Sequence, residues 1–91
     1  MPVSTKIQQM VILSELIKNP ITTIQLKAMD IIDPTARVAE LRSYGFFILT
    51  VDDDYFDKQG EKHVIGRYVL QSQHNNLNNR GETLLERLYS I

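Results

Sequence analysis

From Ser4 to Asn19 apolar residues return at Ile7, Met10, Leu13 and Ile17, close to helical spacing, with Ser4 or Thr5 placed to cap the start. Val11, Ile12 and Leu16 are apolar as well, more than one stripe can hold, so this helix is expected to be covered on more than one side. Asn19-Pro20 ends it, and Ile21 is expected to form a very short strand. Thr22 or Thr23 then caps a second helix of about two turns reaching Met29, with Ile24 and Leu26 or Ala28 available for the core. Asp30 falls where a turn needs positive φ, which aspartate tolerates less well than glycine. Ile31 and Ile32 are expected to anchor that turn.

The third helix has both ends written in the chain. Asp33 can accept from the free amides of the first turn, Pro34 suits a position that needs no donor, and Gly45 can adopt the left-handed conformation that ends a helix. Val38 and Leu41 fall on one side with Pro34 and Gly45, leaving Thr35, Ala36, Ala39, Glu40 and Ser43 outward. The pattern then changes. Phe46 to Val51 and His63 to Leu70 are runs of aromatic and β-branched residues, joined by a polar segment, Asp52 to Lys62, expected to be a long hairpin loop. The first strand carries Phe46 and Ile48 on one face and Phe47, Leu49 and Val51 on the other, so its second face also needs cover.

Residues 71–80 are rich in Asn and Gln and are expected to be a polar linker. Residues 81–91 differ, because Leu84, Leu85, Leu88 and Ile91 recur at helical spacing. This tail is expected to dock on residues 1–70 or on a second copy of the chain. The α+β order of three short helices followed by a β ribbon is that of a winged helix-turn-helix with an added C-terminal helix.

The stretches Ile21-Thr22-Thr23 to Asp30-Ile31, Ala36-Arg37-Val38-Ala39-Glu40-Leu41-Arg42, Gly45, and Gly66-Arg67-Tyr68-Val69-Leu70 resemble a family of small helix-turn-helix domains common in bacteriophages and prophages. The resemblance spans roughly residues 10 to 70. Asp30 stands where that family usually has glycine, and Pro34 where it often has an aliphatic residue. The resemblance implies double-stranded DNA binding, with the helix from Pro34 to Tyr44 in the major groove, by a transcriptional or recombination regulator in the cytoplasm of a bacterial or phage-infected cell.

Composition changes this picture in two ways. The 91 residues form one domain burying only about 60 to 65% of its unfolded surface, so stability is expected to be modest unless the chain oligomerises. The net charge of -1 is low for a protein held to DNA by a basic surface. Residues 1–45 hold five cations against four carboxylates, and the remainder five against seven. There is no cysteine, which excludes disulfide frameworks and thiolate zinc sites, and no apolar run approaches the length of a membrane span. No phosphate-binding glycine loop, nucleophile elbow or helical His pair is present, so catalysis, a cofactor and a small-molecule substrate are not expected.

Candidate contacts carry two readings each. Arg37 can grip guanine or a phosphate, or form a salt bridge to Asp33 or Glu40. Thr35, Ala36 and Ala39, with Ser43, permit close groove approach or form an ordinary solvent face. Glu40 can accept from cytosine but repels phosphates, and Arg42 is a phosphate clamp or an intramolecular ion pair. In the ribbon Lys58, Lys62 and Arg67 can reach the DNA backbone, against the opposing charge of Asp52, Asp53, Asp54 and Asp57. As a calcium loop that run lacks the required Gly and closing Glu. His63 and His74, eleven positions apart, make no metal site with any cysteine, and Tyr68 is expected in the core with its hydroxyl at the edge. Leu84, Leu85, Leu88 and Ile91 are the candidate homodimer surface. A different class of function fits the same scaffold: a protein-interaction module using the acidic loop and the C-terminal helix.

Overall fold

Ser4 opens α1 (Thr5–Lys18) by accepting a hydrogen bond from the amide of Ile7, and the helix stops at Asn19, which the following proline holds in extended conformation. A computed structural model describes residues 4–71 and 83–91 of the chain. After the two-residue strand β1 (Ile21–Thr22), α2 (Thr23–Ala28) begins with a complete capping box. The Thr22 hydroxyl accepts from the Gln25 amide, and the Gln25 side chain accepts from the Thr22 amide.

Helices α2 and α3 (Pro34–Ser43) close with the same device. At α2 the Asp30 amide donates to Lys27 O and the Ile31 amide to Leu26 O, around a left-handed Asp30 at φ 66°. At α3 the Gly45 amide donates to Arg42 O and the Phe46 amide to Leu41 O, around Gly45 at φ 99°. Each is a Schellman turn, and each is sealed by a buried apolar pair, Leu26 with Ile31 and Leu41 with Phe46. Aspartate at the left-handed position of the first turn costs more than glycine, and its short polar side chain keeps the cost tolerable.

Strands β2 (Ile48–Phe56) and β3 (Lys62–Leu70) pair antiparallel from Ile48 opposite Leu70 to Phe56 opposite Lys62, and β1 joins the far side of β3, giving the order β1-β3-β2. The polar segment expected as a long loop is therefore mostly strand. Asp52, Asp53 and Asp54 sit in the ladder opposite Gly66, Ile65 and Val64, and only residues 57–61 form the turn. Aspartate disfavours strands intrinsically, but propensity yields here to a continuous backbone ladder and to cross-strand cations.

The core gathers Ile12, Leu13 and Leu16 of α1, Leu26, Val38 and Leu41 of the next two helices, and Ile21, Ile48 and Tyr68 of the sheet. The face of α1 differs from the expected stripe. Gln9, Ile12, Leu13 and Leu16 are buried, whereas Ile7 and Ile17 are exposed. Ile24 and Ile32 are exposed too, so Ile31 alone anchors the turn.

The last helix, α4 (Leu84–Tyr89), caps on Thr83 and returns to α1. Leu84 and Leu88 are part of this core, at 3% and 0% exposure, which removes both from the expected dimer surface; Leu85 stays half-buried and Ile91 exposed. The Lys6 ammonium donates to the carbonyls of Leu88 and Ile91, and the Arg87 guanidinium lies 4.4 Å over the Phe46 ring. Apart from Gln71, the stretch expected as a linker lies outside the described residues, as does His74.

Candidate nucleic-acid interface

Helix α3 is held on both flanks. On the α1 side the buried Gln9 amide donates to Glu40 Oε1 at 2.8 Å, and Glu40 accepts from Arg37 Nε and Nη2 at 2.7 and 3.0 Å. The Gln9 hydrogen bond and the Arg37 guanidinium hold the Glu40 carboxyl below its ordinary range, against some desolvation. On the sheet side Arg42 donates to Ile48 O and to Thr50 Oγ1, both at 2.8 Å, and the Thr35 hydroxyl lies 3.4 Å from that of Tyr68. Between the flanks runs a ridge of small side chains, Ala36, Ala39 and Ser43, with Ala39 and Ser43 exposed. The Ser43 hydroxyl donates to Glu40 O, so the ridge presents little that competes with an incoming base edge.

The two readings of the charged residues are thereby separated in space. Arg37 takes the salt bridge to Glu40, with 19% of its side chain exposed. Among the described residues Arg42 does not form the expected intramolecular ion pair: it pins α3 to β2 through a carbonyl and a hydroxyl rather than a carboxylate. Gln9 is the residue that sequence reasoning missed. Its signal was its position at helical spacing with Ile12, Leu13 and Leu16, a polar residue on the core face.

Removal of the Glu40 carboxylate leaves the buried Gln9 amide only its long contact to the Tyr44 hydroxyl, so Glu40→Ala is expected to cost about 1 to 3 kcal/mol in urea denaturation. A loss below a few tenths would mean that the Gln9–Glu40–Arg37 chain does not brace α3.

The wing formed by β2 and β3 neutralises most of its own cations. Lys62 lies 3.6 Å from Asp54 and Arg67 3.7 Å from Asp53, ion-pair distances too long for hydrogen bonds. At the turn Asp57 Oδ1 accepts from the amides of Gln59 and Glu61, and Oδ2 lies 2.9 Å from His63 Nε2. Among the described residues Lys58 is the wing cation with no such partner. The Asp57, Glu61 and His63 ligand atoms fall within 4.8 Å of one another, a cluster that the sequence did not show because His63 lies beyond the turn.

The His63 hydrogen bond, followed by those of the backbone amides, lowers the Asp57 pKa below the ordinary aspartate value. A lowered folded-state pKa stabilises the turn above the unfolded value, and that stabilisation is lost as pH falls through the folded one. On acidification through this range the His63 ring signals are expected to shift with Asp57 protonation, and in Asp57→Asn that step should vanish. Its persistence would assign the step to another carboxylate.

Three helices, a tight turn between the second and third, and a hairpin wing define a winged helix-turn-helix, a class that binds double-stranded DNA. The chain belongs to the family described as the winged helix-turn-helix domain, whose model matches residues 7–73. No curated protein and no solved structure matches it. Among the described residues no helix is long and apolar enough to cross a membrane.

Proposed function

We propose that the protein is a sequence-specific double-stranded DNA-binding regulator that lays α3 in the major groove, acting without catalysis or cofactor on transcription or recombination in the cytoplasm of a bacterial or phage-infected cell. One observation carries this reading: Ala39 and Ser43 of the small-residue ridge of α3 are exposed while both of its flanks are braced. Ala36, Ala39 and Ser43 allow close approach, and Ala39 suits a thymine methyl. Thr35 and Arg42 border the ridge on one side and Arg37 on the other, so the two arginines offer their remaining donors to phosphates on either edge of the groove. The wing contributes less, since Lys62 and Arg67 already face carboxylates and, among the described residues, Lys58 alone is unmatched at the turn.

The test is fluorescence anisotropy against a labelled duplex library at roughly 50 and 200 mM salt, where a binder making several phosphate contacts loses orders of magnitude in affinity. Salt-sensitive binding weakened by Arg37→Ala supports the reading. No binding even at low salt sinks it.

The same reading includes a homodimer, now without Leu84 and Leu88. Ile7, Met10 and Val11 line the outer face of α1, beside two shallow clefts of about 420 and 410 Å³ that share Met10 and Leu85, the second also lined by Ile7 and Val11. This face lies opposite the buried one, so two α1 helices can pack about a two-fold axis. Pairing two α3 helices doubles a weak electrostatic contact. Sedimentation equilibrium should show a dimer that Val11→Glu converts to monomer; a monomer in the parent protein rejects it.

A further inference from the structure

Strand β2 ends the sheet, and among the described residues no strand pairs with its outer edge from Ile48 to Phe56, where Arg42 Nε caps the Ile48 carbonyl at the root and the Asp53 carboxylate accepts from the Asp54 amide. Long edges of this kind are usually blunted by a proline, a bulge or charged side chains, lysine above all. Here the register runs without a bulge and the strand contains neither Pro nor Lys. Instead it carries three consecutive carboxylates, Asp52, Asp53 and Asp54, between exposed apolar side chains: Leu49 on the root side, Tyr55 and Phe56 toward the turn.

We propose that this edge accepts an extended segment of a partner protein whose centre is basic and whose flanks are apolar, added as a fourth strand. Backbone hydrogen bonds to β2 would supply the ladder, and the alternating faces would supply selection. The side chains opposite Asp52 and Asp54 lie on one face and the one opposite Asp53 on the other, so three consecutive Lys or Arg residues meet all three carboxylates. Asp52 is the strongest anchor. Its cross-strand neighbour is Gly66, and no cation among the described residues reaches it, whereas Asp53 and Asp54 are matched only at ion-pair distance. Apolar residues on either side of the basic run would cover Leu49 and Val51 at one end and Tyr55 and Phe56 at the other.

Charge also decides what does not bind. A symmetric pairing of two copies over the full strand centres on Asp52 and sets that carboxylate directly opposite its own copy, with Asp54 near by, which is unfavourable in a strand pair. DNA phosphates are repelled in the same way. The edge is thus closed to a second copy and to nucleic acid and open to a basic strand, and the proposal does not depend on the DNA reading, which rests on α3.

The experiment uses the whole chain and a fluorescein-labelled peptide, acetyl-Val-Tyr-Lys-Arg-Lys-Val-Thr-Val-amide, with two controls. In one control alternate backbone amides are methylated, which keeps every charge but removes ladder donors; in the other Glu replaces the three basic residues. The parent peptide is expected to bind and to shift the backbone amide signals of residues 48–56 while leaving those of Ala36, Ala39 and Ser43 in place. The methylated peptide and the variant Asp52→Asn/Asp54→Asn are each expected to lose about tenfold in affinity, and the Glu peptide not to bind. Duplex binding by that variant should be unchanged or stronger, which separates this proposal from the fate of the DNA reading. No binding of the parent peptide, equal binding of the methylated one, or shifts scattered away from β2 would each overturn the added strand.

Discussion

Leu88→Ala is expected to destabilise the whole domain by about 2 to 5 kcal/mol, the range for truncating a fully buried leucine. Leu88 is 0% exposed and shares the core with Ile12, Leu13 and Leu84, so its loss opens a cavity between α1 and α4. The damage spreads beyond the cavity. When α4 loosens, the Lys6 ammonium loses both of its carbonyl acceptors and Arg87 leaves the Phe46 ring. A domain of this size has a total stability of about 5 to 10 kcal/mol, so a large part of it rests on this short helix. Thermal unfolding should fall by about 10 °C or more. A change of less than about 1 kcal/mol would show that α4 is no part of the core, and would return Leu84 and Leu88 to an interface with another chain.

Ala39→Glu is expected to abolish duplex binding, lowering affinity at least about a hundredfold, by placing bulk and negative charge where a base edge must approach. Ala39 is exposed and touches neither brace of α3, so the melting temperature should stay within about 0.5 kcal/mol equivalent of the parent. Ala39→Ser, small and neutral, should keep binding. That contrast separates a groove contact from a general loss of structure. If Ala39→Glu binds duplex as tightly as the parent, the ridge of α3 does not enter the groove and the proposed docking is wrong.

Local rules were legible wherever a single residue type decides the outcome. Ser4, Thr22 and Asp33 cap their helices as their side-chain oxygens dictate, and Asp30 and Gly45 take positive φ at the two turns. The errors came where a tertiary partner overrules a side chain's own preference. Counting Gln9 as polar rotated the apparent apolar face of α1 toward Ile7 and Ile17, because the acceptors that make burying that amide acceptable, Glu40 and the Tyr44 hydroxyl, lie on or beside α3, far along the chain. Counting three aspartates as loop ended the first wing strand at Val51 instead of Phe56, because the ladder and the cations across it are not local information. The candidate site was legible in part: the outward position of Ala36, Ala39 and Ser43 follows from periodicity and the Arg37–Glu40 bridge was one of two local alternatives, whereas the anchoring of Arg42 on β2 depends on packing.

The wing outruns the core beneath it. Ile48 and Tyr68 at its root are buried, but Phe56 and Val64 toward the turn are mostly exposed, so the outer half is held by its ladder, its cross-strand charges and the contact of Tyr55 with His63. Such a hairpin unzips from the turn without disturbing the three-helix body. Its amide hydrogens should exchange with solvent at a fraction of the global unfolding free energy, with protection climbing toward Tyr68. The outer half of the wing is therefore expected to form a cooperative unit separate from α3, which is tied to the root through Arg42, and a ligand that slows exchange in one need not slow it in the other.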